Sequence, residues 1–323
     1  MDLDSLSILL LWTAIAIYAL AFLAFAFDLA RRSEQSSDAR LRTELEGAQA
    51  VGAQGGGTAT LVAAPAAPAR RPFMARLGTS LTVLGFLLHL GATLARGFAA
   101  GRVPWANNYE FAMLGTLLIV ATYLVVLIWL DLRFLGTFIT GLVAVLLGTS
   151  AVSFYVIVTP LMDPLKSVWL VIHVFVASFS TALLALAFAL SVTQLLQMRR
   201  ERMLREGAEK PGPQFLATLP SSERLEALAY RFATIGFIFW TFTLIAGAIW
   251  AQDAWGRYWG FDVKETWTFI IWVLYAGYIH ARATRGWRGA PSAWLSIVGF
   301  TAVMFNFAIV NVFFKGLHAY SGL

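Results

Sequence analysis

Residues 168–196 read VWLVIHVFVASFSTALLALAFALSVTQLL, with no Asp, Glu, Lys or Arg among them. A run of that length in α-helical form is about 43 Å long. The hydrocarbon core of a bilayer is roughly 30 Å thick, so the run is long enough to cross it. Its apolar residues are continuous. A membrane β-barrel would alternate them, so that architecture is excluded.

Working outward, seven further stretches have the same character: approximately 5–27, 74–98, 110–130, 134–158, 230–251, 266–283 and 292–315. Composition agrees. Of the 323 residues 59% are apolar and 13% charged, where a soluble domain carries about 45–50% and about 25%. The fold class is therefore all-α: a polytopic membrane helical bundle of about eight transmembrane helices. The chain reads as a single integral membrane domain over 1–323.

The first stretch has an acidic front end (Asp2, Asp4) and is followed by Arg31 and Arg32. It reads as an uncleaved span with its N-terminus outside. Segments 28–73, 131–133, 197–229 and 282–291 then lie inside and hold sixteen Lys or Arg residues, against six in the outer segments. That bias places both termini outside. Residues 33–72, polar and then rich in Ala, Gly and Pro, read as a flexible cytoplasmic linker. The net charge of +6 belongs to this orientation bias and does not imply a nucleic-acid partner. With no cysteine in the chain, disulfides, thiolate metal sites and thiol nucleophiles are excluded.

Four histidines are present: His89, His173, His280 and His318. A lone histidine on an apolar helix is ordinarily a hydrogen-bonded structural residue, whereas ionisable groups inside membranes are costly and often functional. His173 and His318 fall at one depth near the outer surface, on separate helices, so they could share one metal. His280 lies roughly 21 Å below the outer face and His89 roughly 24 Å above the inner one. Their depths then differ by roughly 15 Å, too much for a shared iron on straight helices.

Between spans six and seven lies WGRYWGFDVKETWTFIIWVLY (255–275), and six tryptophans crowd positions 240–272. An interfacial aromatic belt favours Trp. It does not require Trp255, Trp259 and Asp262 in i, i+4, i+7 register. If helical, this segment puts the three on one face. Such a face, with Arg257 and Lys264 beside it to neutralise anionic groups, suits a large flat apolar ligand with carboxylates at one edge. A porphyrin fits that description.

The same segment closely resembles the tryptophan-rich WWD signature of haem-handling proteins in cytochrome c maturation. PWANNYEF (104–111), IHV (172–174), YIHAR (278–282) and GLHAY (316–320) match the CcsA/ResC branch, and the resemblance runs from about residue 73 to the end. Within the signature Phe261 stands where the family usually has Trp, and Val263 where it usually has Pro. The resemblance implies a protein that moves haem b, as substrate and ligand, across a bacterial plasma membrane or an equivalent energy-transducing membrane. It implies presentation of haem on the outer face to the C-x-x-C-H motif of apocytochrome c, as part of a haem lyase that includes a CcsB/ResB-type membrane partner. It further implies His173 and His318 as axial ligands of presented haem, and His280 as the ligand of haem in transit. The haem-binding surface would be the WWD-like outer segment 252–265 with Trp267: Trp255, Arg257, Trp259, Phe261, Asp262, Lys264 and Trp267. His89, Asn108 and Glu110 are further candidates. For Asn108 and Glu110 a capped helix start explains the residues equally well. No residue is assigned as nucleophile or acid/base.

Three other functions are compatible with parts of this pattern. A haem exporter or chaperone without lyase activity would share the same residues. A transporter of another small molecule would call for broken helices near mid-membrane. A membrane cytochrome b would place two ligand histidines on one helix, and here each has its own.

Overall fold

The computed structural model describes residues 2–52 (backbone only over 33–52), 73–161, 166–208, 211–284, 286–314 and 316–317. Among them the secondary structure is helical throughout. In chain order the long helices are α1 (Leu3–Gly52), α2 (Phe73–Ala100), α3 (Asn108–Trp129), α4 (Gly136–Ser153), α5 (Val168–Arg205), α6 (Ser222–Trp255), α7 (Val263–Thr284) and α8 (Ala290–Phe305). The last continues through a π-turn, Asn306–Val310, into a final helical turn, Asn311–Phe313.

Among the described residues seven helices are long and apolar enough to cross a membrane: those containing Leu3–Arg32, Phe73–Ala100, Asn108–Trp129, Arg133–Ser153, Val168–Arg205, Ser222–Trp255 and Ala290–Phe313. The eighth expected span, 266–283, is helical within α7 but is not among the seven. Its two Trp and two Tyr residues, with His280 and Arg282, dilute the apolar run. The expected linker begins as helix, because α1 runs on through Gly52. Its remainder, 53–72, lies outside the described residues. The fourth span was expected to reach residue 158, yet α4 stops at Ser153. Beyond it the chain has no regular secondary structure, and the carbonyls of Val156 and Thr159 accept hydrogen bonds from Arg96 and Arg102.

The helices pack as two sub-bundles. α1 lies on α2 and α4, and α3 packs on α4 and α2; α5 lies on α6 and α8, and α7 packs on α6 and α8. The α3–α5 contact joins them. Small residues set the close approaches, as in membrane bundles generally, where packing replaces the hydrophobic effect as the driving force. Gly85 seats the Tyr18 ring, and Gly78 and Gly136 seat Phe25, holding α1 between α2 and α4. Ser180 Oγ donates to the Gly236 carbonyl at 2.6 Å, where α6 leans on Leu184 of α5.

Because consecutive helices alternate in direction, two ends form, each tied by buried ions. At one end Arg96, fully buried, donates to Glu110 (3.0 Å) and Asp4 (2.7 Å), and Arg102 donates to Glu110 at 2.7 Å. Tyr155 donates to Asp4 at 2.9 Å. Burial, and then this bond, raise the phenol's pKa. Two cations face two carboxylates, so little charge is left unbalanced in a place where an unpaired one would be costly. At the other end Glu226 accepts from Arg282 (3.1 Å) and from the Gly289 amide (2.9 Å). The signature segment belongs to the first end.

Candidate functional site

At the signature end α3, α5, α6, α7 and α8 splay enough to leave a cavity of about 220 Å³, open at its mouth. Its walls are aromatic: Trp105, Phe111, Trp240, Trp250, Tyr258, Trp259 and Phe307. Asn107, Asn108, His173, Thr243, Lys264, Glu265, Asn306 and Asn311 supply its polar groups.

His173 sits in the second turn of α5, whose start is capped by Ser167 accepting from the Trp169 amide. Its Nδ1 lies 3.0 Å from the Thr243 carbonyl on α6. A carbonyl only accepts, so Nδ1 carries the proton and Nε2 is the lone-pair nitrogen. Metal-binding histidines are commonly oriented in this way, by a carbonyl behind the ring. Gly247, one turn along α6, makes room for the ring. A Cβ there would come 2.8 Å from His173 Cε1. Trp250 packs against the same imidazole, centroids 5.6 Å apart, and Trp255 packs on Trp250 at 6.4 Å.

The segment after Trp255 is not helical, which overturns the shared-face reading of Trp255, Trp259 and Asp262. Gly256 adopts a left-handed conformation (φ 71) and ends α6 as a glycine C-cap does. α7 then starts with a capping box, Asp262-Val-Lys-Glu265. Asp262 Oδ2 accepts from the Lys264 amide (3.2 Å), and Glu265 Oε2 accepts from the amides of Asp262 (3.0 Å) and Gly260 (2.9 Å). Val263, at the family's proline position, is the first helical residue, a place where proline is favoured. Phe261 has φ 58, unusual for a residue with a side chain, and its ring is largely exposed.

Of the candidate haem surface, Trp259 and Lys264 line the cavity beside His173. Arg257 pairs with Glu265 at 3.5 Å. Trp267 packs on Phe305, centroids 4.4 Å apart, inside the bundle. Lys264 Nζ donates to the Asn306 carbonyl (3.3 Å) and to Asn311 Oδ1. Asn108 lines the cavity, whereas Glu110 lies in the ionic hub and holds Arg96, Arg102 and the Ala106 amide. His280 stands exposed far along α7. His89 is fully buried on α2, near Tyr18 of α1. Since α2 packs on α1, α3 and α4, while α7 packs on α6 and α8, His89 and His280 belong to different sub-bundles. His318 lies outside the described residues.

Glu265, Thr243 and Gly247 were missed as site residues. The D-x-x-E spacing was a readable signal for Glu265. Thr243 and Gly247 act through a backbone carbonyl and a missing Cβ, which carry no sequence signature.

Residues 105–318 match the family model described as cytochrome C assembly protein. The cytochrome c biogenesis protein CcsA of Gloeobacter violaceus is 30% identical over 300 residues, covering 79% of this chain and 89% of that one. The CcsA of Mesostigma viride is 32% identical over 243 residues, covering 70% and 79%. With the CcsA of Synechococcus sp. strain CC9902 the identity is 38% over 176 residues. That match spans 50% of this chain and 58% of the relative, little more than half its length. Among solved structures, a cytochrome c haem lyase CcmF superposes with a TM-score of 0.63 at 17% identity, over 95% of this chain and 47% of that one, so the two share a fold. The chain belongs to the cytochrome c assembly protein family and is of its CcsA type.

Proposed function

We propose that this chain takes haem across the membrane and presents it at the signature end for covalent attachment to apocytochrome c, in a complex with a CcsB/ResB-type membrane protein. By the distribution of basic residues the signature end and both termini face outward. His173 and His318 are the axial ligands of the presented haem, which rests against Trp259 and the other aromatic walls. Each C-x-x-C-H thiol adds its sulfur to the inner carbon of a vinyl group and a proton to the outer one. No external oxidant or reductant is consumed in that addition. The thiols come from the substrate, because this chain has no cysteine. The chain's contribution is to hold vinyl and thiol in near-attack geometry.

The observation that carries this reading is His173. Its tautomer is set by the Thr243 carbonyl, and its ring stands in the wall of an open, largely aromatic cavity. His280 is the ligand in transit. It lies on an exposed face of α7, where Gly277 nearly one turn earlier leaves open space. A second axial ligand reaching it from a partner helix fits that surface.

The test is the optical spectrum of the chain copurified with its partner. A six-coordinate, low-spin haem signal is expected, and it should be weakened in His173→Gly and His280→Ala. A haem-free complex, or full haem content and full cytochrome c yield in His173→Gly, would defeat the assignment.

A further inference from the structure

Three polar groups of the signature loop converge on one side chain. Glu265 Oε2 accepts hydrogen bonds from the amides of Gly260 (2.9 Å) and Asp262 (3.0 Å), and Oε1 lies 3.5 Å from Arg257 Nη1. Two amides two residues apart can aim at one oxygen when the backbone between them turns left-handed, as in the anion-binding nests of loops. Phe261, the residue between them, has φ 58, a conformation that a residue with a Cβ seldom takes. The carboxylate therefore accounts for the one left-handed non-glycine among the described residues. Arg257 in turn folds over Gly260, where a Cβ would strike its guanidinium.

The loop held in this way carries part of the cavity wall. Tyr258 and Trp259 line the cavity, together with Glu265 itself. Trp259 stands edge-on to Phe261 (centroids 6.1 Å) and to Phe269 of α7 (6.3 Å), which lies one turn beyond Glu265. The place of the indole thus follows from how the loop is folded onto α7. From Arg257 to Phe261 the backbone is neither helix nor strand, so no ladder of backbone bonds does that folding.

We propose that Glu265 is a positioning residue for Trp259. Its carboxylate fills the nest at Gly260–Asp262, pairs with Arg257, and so sets the loop that holds the indole in the cavity wall. The proposal rests on the reading of that cavity as the haem site.

The test uses the full chain copurified with its partner. Hydrogen exchange, read by mass spectrometry, follows the peptide covering 256–262. Its Gly260 and Asp262 amides should exchange about tenfold faster or more in Glu265→Ala, the scale set by losing hydrogen bonds to a charged acceptor. Glu265→Gln keeps an acceptor oxygen for them and should stay close to the wild type. Haem-stained cytochrome c yield should fall in Glu265→Ala by up to about a hundredfold, the loss that follows when a bound reactant shifts by an ångström. Trp259→Ala should fall as far. The double variant should fall no further than Trp259→Ala alone, because residues acting through one another are not additive. A residue that only stabilised the fold would lower the melting temperature and add its loss to that of Trp259→Ala. Should Glu265→Ala not accumulate, Glu265→Asp, too short to span both amides, takes its place in the cycle.

Additive losses would overturn the positioning role. So would a Glu265→Gln variant as inactive as Glu265→Ala whose loop stays protected, since the carboxylate would then meet the ligand directly. Unchanged exchange over 256–262 in Glu265→Ala would show that Glu265 does not hold the loop. If Trp259→Ala keeps wild-type haem content and yield, the cavity reading fails and the role fails with it, even where exchange shows the loop held by Glu265.

Discussion

His89 and His173 invite the same reading in sequence: one imidazole each, within an apolar helix. In the fold each has Nδ1 beside an oxygen of the next helix. For His89 it is the Tyr18 hydroxyl at 3.4 Å, for His173 the Thr243 carbonyl at 3.0 Å. The difference lies on the other side of the ring. His89 Nε2 is walled in, without a hydrogen-bond partner among the described residues, and the residue is 0% exposed. His173 opens onto the aromatic cavity. The two imidazoles therefore differ in access, while residue type and hydrogen-bonding pattern are nearly the same. His89 is packed between α2 and Tyr18 of α1.

That contrast can be broken by substitution, and the largest effect is expected at His173. His173→Gly should abolish most haem-dependent cytochrome c formation, and external imidazole should restore part of it by occupying the vacated volume. Haem-stained cytochrome c yield is the readout, and equal yields with and without imidazole would count against the ligand role. His89→Leu should show no imidazole response at all.

Next comes the space behind the ring. Gly247→Ala puts a Cβ 2.8 Å from His173 Cε1, too close for the ring to stay where it is. The ring must turn off the Thr243 carbonyl, and a fall of about ten- to a hundredfold in haem affinity is expected. Haem titration of the purified complex checks this. The matching change on the other side, Gly85→Ala, forces a Cβ to within 2.8 Å of the Tyr18 ring. Overpacking of this kind costs about 1–3 kcal/mol. It should lower the melting temperature and leave the spectrum per folded molecule unchanged. An altered spectrum there would mean that α1 and α2 take part in the site.

The smallest effect is expected from a double change. His89→Leu alone strands the buried Tyr18 hydroxyl and should cost about 1–3 kcal/mol. His89→Leu with Tyr18→Phe removes both polar partners and should recover most of that loss. A double-mutant cycle by thermal unfolding measures it. No recovery would show that the imidazole has a role beyond Tyr18.

The charges teach a similar lesson. Asp262 and Lys264 stood out in the sequence as groups for a ligand, and Glu110 as a candidate that a helix start explained equally well. Glu110 is spent on Arg96 and Arg102, Asp262 on a helix cap and the Leu317 amide, and Lys264 on the π-turn. A sequence shows that a charge exists and how near the membrane it falls. It does not show which distant carbonyl or guanidinium will claim it, because Arg96 and Asp4, or Asp262 and Leu317, are far apart in the chain.

Apolar run length, the absence of cysteine and the long tryptophan-rich signature were enough, without coordinates, to establish an all-helical membrane chain of the cytochrome c assembly family. These are local properties: a run of twenty apolar residues satisfies its own backbone hydrogen bonds wherever its neighbours lie. Even the break at Gly256 and the start of α7 at Asp262 are local, written in a glycine and a D-x-x-E box. The cavity is not local. It exists because α3, α5, α6, α7 and α8 meet at one end, where Thr243 turns a carbonyl to His173, Gly247 leaves room for its ring, and Tyr18 closes over His89 instead. Only tertiary packing decides such things, since each depends on atoms that no stretch of sequence brings together.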